Sequence, residues 1–186
     1  MAPHDRSDWL LENLLVFASV AGLVLGYRRI VLSNLSYLLL FVFMALHAMG
    51  AHYTYSLTPL GFWIQEVFGL ARNPYDRIVH LAFGLLLTYP VRELTLRRLH
   101  VHRAWSYGIP LVAVLSFSAS YEILEGWAAR IVDPELGLAF VGAQGDPWDA
   151  QKDMSLALLG ALSCLTATAV YRARTGREPW GLLAPR

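Results

Sequence analysis

The sequence predicts an all-α fold, a polytopic membrane helix bundle, on three observations. Of 186 residues, 56% are hydrophobic and only 16% charged, too few charges to clothe a soluble domain of that size. The apolar residues gather into five long runs, near the ~20 residues that carry a helix across ~30 Å of hydrocarbon. The remaining ionisable residues concentrate at the ends of those runs. A net charge of +1, with Lys152 the single Lys, provides no basic patch for nucleic acid. Cys164 is the lone cysteine and forms no intrachain disulfide. The chain reads as one membrane unit, 1–186.

The first span, about 9–27, carries Glu12. It is too long for a signal-peptide core and lacks a basic leader and a small-x-small cleavage pattern before Arg28-Arg29, so it is expected to be retained. The second, 30–49, is the clearest, twenty residues without a formal charge. The third, about 76–95, has only Ile78–Val91 as its uncharged core. A polar first turn at Asp76-Arg77 and an Arg92 side chain reaching back to the interface lengthen it. The fourth, about 105–125, has Pro110 near its start, where a neighbouring helix can satisfy the freed backbone. The fifth, about 153–171, is rich in Ala, Gly, Ser and Thr, and its Met154, Gly160 and Ala161 read as helix-packing residues.

Two connections are long. In the first, Thr58-Pro59 is a cap-plus-first-turn signal before Leu60, Trp63, Ile64, Val67 and Phe68, closed by Gly69. This predicts a short extracytoplasmic interfacial helix lying on the bilayer or over the bundle mouth. In the second, 126–152, Asp133-Pro134, Gly142, Gly145 and Pro147 predict mostly irregular chain. Of the fifteen Lys and Arg residues, ten fall on the side of the C-terminus and five on the other. The positive-inside rule then puts the C-terminus in the cytoplasm and the N-terminus outside, with His100 and His102 in a basic cytoplasmic loop.

Four helix ends on the outer side are polar. His47 closes the second span, with His52-Tyr53 just beyond. Asn73, Asp76, Arg77 and His80 open the third, Ser118, Glu122 and Glu125 close the fourth, and Asp146, Asp149 and Asp153 open the fifth. Asp76 and His80 are an i,i+4 pair, Glu122 and Glu125 i,i+3, and Asp149 and Asp153 i,i+4, so each pair shares a helical face. A carboxylate inside the bilayer costs ~2.5–3.5 kcal/mol even on the lenient insertion scale and must face a partner, water or an ion. A lone His at a helix end is usually a hydrogen-bonded interfacial residue, and Asp76-Arg77 alone reads as a helix start. Gly145-Asp146-Pro147-Trp148-Asp149 alone reads as a tight turn with an interfacial Trp. The cluster as a whole points to a site. Carboxylates with imidazoles suit Zn²⁺, Mn²⁺ or Fe²⁺, and the spacing does not select among them. The inner halves of the spans look almost free of ionisable groups, which favours a one-sided site over a transport path.

Four segments carry a family resemblance: His47-Ala-Met-Gly-Ala-His52-Tyr53-Thr-Tyr55; Arg72-Asn73-Pro-Tyr75-Asp76-Arg77-Ile-Val-His80; Tyr121-Glu122-Ile-Leu-Glu125-Gly-Trp127; and Gln144-Gly145-Asp146-Pro-Trp148-Asp149-Ala-Gln151-Lys-Asp153-Met154. With these the chain resembles the YjdF-like family of bacterial inner-membrane proteins, from about His47 to Gly160. The Glu-rich helix end and Asp-containing entrance to the last helix are more distantly similar to the VanZ-like membrane proteins. The resemblance implies a multi-pass protein of the bacterial inner membrane and implies no reaction.

Three functions compete on the residues. The first is a metal-dependent hydrolase or transferase acting on a lipid or lipid-linked phosphate. In it His47, His52, Asp76, His80, Glu122 and Asp153 hold metal, Glu122, Glu125 or Asp149 activates water, and Arg77 or Arg72 binds the anionic group. The second is a cation- or proton-coupled transport or binding protein using the same acids, though no inverted repeat or pair of broken helices supports it. The third is a non-catalytic membrane organiser whose polar cluster fixes helix packing.

Overall fold

The computed structural model describes residues 3–29, 31–99, 101–131 and 144–179. Within these the chain forms α1 (Arg6–Gly26), α2 (Asn34–His52), α3 (Pro59–Phe68), α4 (Tyr75–Arg98), α5 (Trp105–Ile131) and α6 (Asp149–Thr175), with no strand among the described residues. Ile30, His100, Arg186 and the turn signals at Asp133-Pro134 and Gly142 lie outside them. The five long helices alternate in direction, so the start of α1, the end of α2, the start of α4, the end of α5 and the start of α6 share one end of the bundle.

Four helices contain stretches long and apolar enough to cross a membrane: Trp9–Gly26, Asn34–His52, Trp105–Trp127 and Asp149–Thr175. Their unburied faces carry large apolar side chains such as Leu25, Phe41, Val112, Phe117 and Leu159, as a lipid-facing surface requires. The third expected span forms as α4, but its composition is not that of a lipid-facing helix. It packs against α2, α5 and, most extensively, α6. Asp76, His80, Thr88, Arg92, Glu93 and Thr95 are all buried on it, and polar groups are tolerated because neighbouring helices surround them.

The α4–α6 contact is built on small residues. A Cβ on Gly84 would run into the Ala157 carbonyl oxygen, and one on Gly160 into the Leu81 carbonyl oxygen. The backbones therefore touch, and Gly160 and Ala161 have the packing role the sequence suggested.

Several boundaries move for identifiable reasons. The second helix begins at Asn34 because Ser33 caps it, accepting the Ser36 N–H at 3.2 Å. Ser33 is itself held by α4: its N–H and hydroxyl donate to Glu93 at 2.8 and 2.7 Å, and the Ser36 hydroxyl donates to the same carboxylate. Arg97 completes the set at 2.9 Å. Thr58 stands at the N-cap of α3 but makes no cap bond; its hydroxyl donates to the Tyr55 carbonyl instead. Gly69 closes α3 in the left-handed conformation at φ 60°, where a side chain would be strained. The stretch 126–152 is helical at both margins, since α5 runs to Ile131 and α6 starts at Asp149. Residues 132–143, where most of the expected irregular chain falls, lie outside the described residues.

Arg92 corrects two further expectations. Instead of reaching for the interface it is fully buried, donating to Glu178 at 2.7 and 3.1 Å and lying 4.5 Å over the Tyr107 ring. Together with buried Glu93 it gives the end of α4 away from the polar cluster an ionic core of its own, so that half of the bundle is not free of charge.

Candidate functional site

The site starts at the α3–α4 junction. Asn73 donates through Nδ2 to the Thr58 carbonyl at 3.1 Å and accepts the Tyr75 N–H at 3.0 Å, so its side chain both fixes the preceding loop and opens α4. Gly61 makes room for it, since a Cβ there would strike the Asn73 amide. The Tyr75 hydroxyl donates to the Leu46 carbonyl at 2.7 Å and ties α4 to α2. One turn of α4 later, Asp76 and His80 point the same way.

Three elements meet at His80. Its Nε2 lies 3.6 Å from Asp76 Oδ1 and 3.5 Å from Glu122 Oε1 of α5. Asp76, His80 and Asp153 of α6 each offer a ligand atom, all within 4.8 Å of one another. Glu122 Oε1 and Asp153 Oδ1 are buried without a hydrogen-bond partner. These separations are too long for hydrogen bonds. The two His80 distances are near the roughly 3.3–3.6 Å edges of a tetrahedron whose ligands stand about 2.0–2.2 Å from a central ion. Glu125, one turn along α5 and buried, lies within the electrostatic reach of Asp76, Glu122, Glu12 and Asp153.

The cations occupy the mouth. Arg72 grips Asp149 through Nη1 at 2.5 Å and lies 3.9 Å from Asp76. Arg77 donates through Nη2 to Asp146 at 2.6 Å and to Asp149 at 3.4 Å. Lys152 donates to the same Asp146 oxygen at 2.5 Å. The Lys152 ammonium, then the Trp148 N–H, hold the Asp146 carboxyl down at about 2. Gln144 ties this segment to α4: its side chain accepts the Asn73 N–H and donates to the Asn73 carbonyl, both at 3.1 Å.

His47 stands in a different network. Its Nε2 is 3.0 Å from the Glu12 carbonyl and its Nδ1 2.5 Å from the Tyr55 hydroxyl. A carbonyl can only accept, so Nε2 carries the proton and Nδ1 takes the Tyr55 proton, leaving the ring no lone pair for an ion. The Tyr55 ring reaches it over Gly50, whose missing side chain leaves the space. The Tyr121 hydroxyl donates to Glu12 Oε2 at 2.6 Å, fastening α5 to α1. His52 stacks edge-on against Tyr53 and is not brought to His80.

Of the residues expected to hold metal, Asp76, His80, Glu122 and Asp153 converge, while His47 and His52 do not join them. Asp149 is engaged with two arginines, beside the donor set. Sequence reasoning missed Glu12 and Gln144 as partners. A carboxylate in the first apolar run was the available signal for Glu12. Nothing in the local sequence marked Gln144 as a clamp.

A family model described as "Predicted membrane protein (DUF2238)" matches residues 1–174. The chain is 38% identical over 184 residues to the inner membrane protein YjdF of Escherichia coli (strain K12), an alignment covering 98% of this chain and 87% of that one. No solved structure matches. With the all-helical bundle and its membrane-length apolar helices, these likenesses make the chain a member of the DUF2238 family of YjdF-like membrane proteins.

Proposed function

We propose that this protein is an inner-membrane, metal-dependent hydrolase or transferase acting on a lipid or lipid-linked phosphate at the extracytoplasmic face. The observation that carries the reading is the donor set itself. Asp76 and His80 from α4 and Asp153 from α6 lie within 4.8 Å of one another, and Asp153 Oδ1 is a buried oxygen without a partner. Glu122 from α5, with its own unpaired oxygen 3.5 Å from His80, supplies a fourth ligand. Unpaired buried carboxylate oxygens are costly in a finished fold, and a divalent cation satisfies both at once. Such an ion acidifies bound water and polarises a phosphoryl oxygen. Glu125, buried beside Glu122, is the general base, and Arg72 and Arg77 orient the anionic group.

The membrane arrangement goes with this reading. There are five crossings, α4 being the fifth and shielded by its neighbours, and α3 lies at the interface with Leu60, Phe62, Trp63 and Phe68 on its exposed surface. The excess of Lys and Arg near the other end of the bundle favours a site and N-terminus outside and a C-terminus in the cytoplasm. The relative's name gives the inner membrane. Transport is the weaker reading despite the ionic core around Arg92 and Glu93. On the α4–α6 side the backbone contact among Gly84, Ala157 and Gly160 lies between that core and His80. A pure packing role leaves the unpaired oxygens of Glu122 and Asp153 unexplained.

The test is elemental analysis of the detergent-purified protein before and after chelation, with hydrolysis of a panel of lipid phosphates on the same samples. Stoichiometric Zn, Mn or Fe and chelator-sensitive hydrolysis are expected. A protein that holds no metal and is indifferent to chelators overturns the mechanism.

A further inference from the structure

We propose that the cavity at the mouth of the site is a phosphomonoester-binding subsite, and that Asp146 is its built-in competitor, a carboxylate of the chain placed where a phosphate oxygen binds. The inference rests on the neighbouring donor set being a reaction centre and adds the ligand class and its regulation.

The cavity has a volume of about 450 Å³ and is lined by Arg72, Arg77, Lys152, Gln144 and Asp146, within the ~300–1,000 Å³ usual for small-molecule sites. One oxygen of Asp146 takes both a guanidinium N–H and an ammonium, at 2.6 and 2.5 Å, from two different helices. Two converging cations on one oxygen is the grip a phosphoryl oxygen receives. Arg72 is held between Asp149 and Asp76, whereas Arg77 and Lys152 share Asp146. With Asp146 swung away Arg77 and Lys152 lose that common counter-charge, and a phosphomonoester, at about −1.5 to −2 near pH 7, supplies one.

The backbone is built for that swing. Gln144 and Gly145 both adopt left-handed conformations, at φ 47° and 83°. For Gln144 this is a strained state of order 1–3 kcal/mol, held by its two side-chain bonds to Asn73. The segment is thus pinned upstream at Gln144 and downstream at Asp149, with Asp146 between. Trp148, exposed beside it, is a side chain of the kind that favours headgroup depth. The cavity lies next to the donor set, since Arg72 in its lining stands 3.9 Å from Asp76.

The same phosphate chemistry can arrive from a lipid headgroup or from solution, and the experiment separates them. The full-length protein in phosphatidylcholine nanodiscs, stripped of metal by chelation, is titrated with radiolabelled inorganic phosphate. Unlabelled phosphatidic acid in the disc serves as competitor. Asp146→Asn should bind phosphate about tenfold more tightly than wild type, and Asp146→Asn with Lys152→Gln should lose at least that gain, each tenfold step being about 1.4 kcal/mol. Asp146→Ser provides a second removal of the carboxylate should the Asn variant fail to fold. Competition by phosphatidic acid assigns the subsite to lipid headgroups; phosphate binding without that competition assigns it to soluble phosphates; both uphold it. Unchanged or weaker phosphate binding in both folded Asp146 variants overturns it. Because metal is absent throughout, this failure is distinct from failure of the metal reading, which elemental analysis of untreated protein decides.

Discussion

His80 Nε2 on α4 lies 3.5 Å from Glu122 Oε1 on α5, and that oxygen has no hydrogen-bond partner. At this distance the contact is a long ion pair rather than a well-formed hydrogen bond, and in the proposed metal centre the two atoms would be neighbouring ligands.

That relationship predicts the behaviour of the donor set. His80→Gln and Asp153→Asn should each lower bound metal more than about tenfold, the loss already typical of second-shell changes, while the protein still inserts and elutes as wild type. Elemental analysis of the purified variants is the check, and wild-type occupancy in both would remove them from the centre.

His47 should behave differently. Its replacement by Ala strands the Glu12 carbonyl bond and the Tyr55 hydroxyl. The cost should be about 1–3 kcal/mol for buried groups left unsatisfied, with metal content unchanged. Thermal denaturation in detergent and elemental analysis on the same sample separate stability from ligation.

Glu93→Ala should be more severe. The substitution deprives Ser33, Ser36 and Arg97 of a common acceptor that is fully buried. Breaking a buried charge network of this kind costs about 3–5 kcal/mol, and denaturant-induced unfolding should show it as a lowered midpoint without any effect specific to metal.

The Asp146 clamp has a pH signature. Its carboxyl is held at about 2, below the ordinary 3.8, chiefly by Lys152. A depressed pKa means that the clamp contributes fully above about 3.8 and is lost only as pH falls through about 2. Between pH 5.5 and 8 the ratio of phosphate affinities of Asp146→Asn and wild type should therefore stay constant, the ligand's own titration cancelling. A ratio that collapses toward one on mild acidification would contradict the clamp.

Orientation is testable on a Cys164→Ser background. Leu70→Cys, in the connection between α3 and α4, should react with an impermeant maleimide in intact cells, and Arg103→Cys, between α4 and α5, only after permeabilisation. The reverse pattern inverts the topology.

The helical membrane character and the gathering of polar residues from the ends of α4, α5 and α6 were legible in the sequence, because apolar run length and i,i+4 spacing are local properties. The division of the cluster was not. Whether His47 faces Asp76 or Glu12 depends on how α1 lies against α2 and on the Tyr55 ring crossing Gly50, both tertiary facts. The role of Arg92 escaped for the same reason. Snorkelling is what an isolated helix would do with it, and Glu178, 86 residues later, is invisible to any local window.

That separation orders events in time. Glu93 finds its donors, Ser33 and Ser36, in chain already made, about 60 residues earlier. Arg92, its immediate neighbour, must wait for Glu178, which at about 5–20 residues per second of synthesis emerges roughly 4–17 s later. During that interval α4 holds a guanidinium whose final counter-ion has not been translated. Completion of the C-terminal segment is thus the step that closes the ionic core of α4.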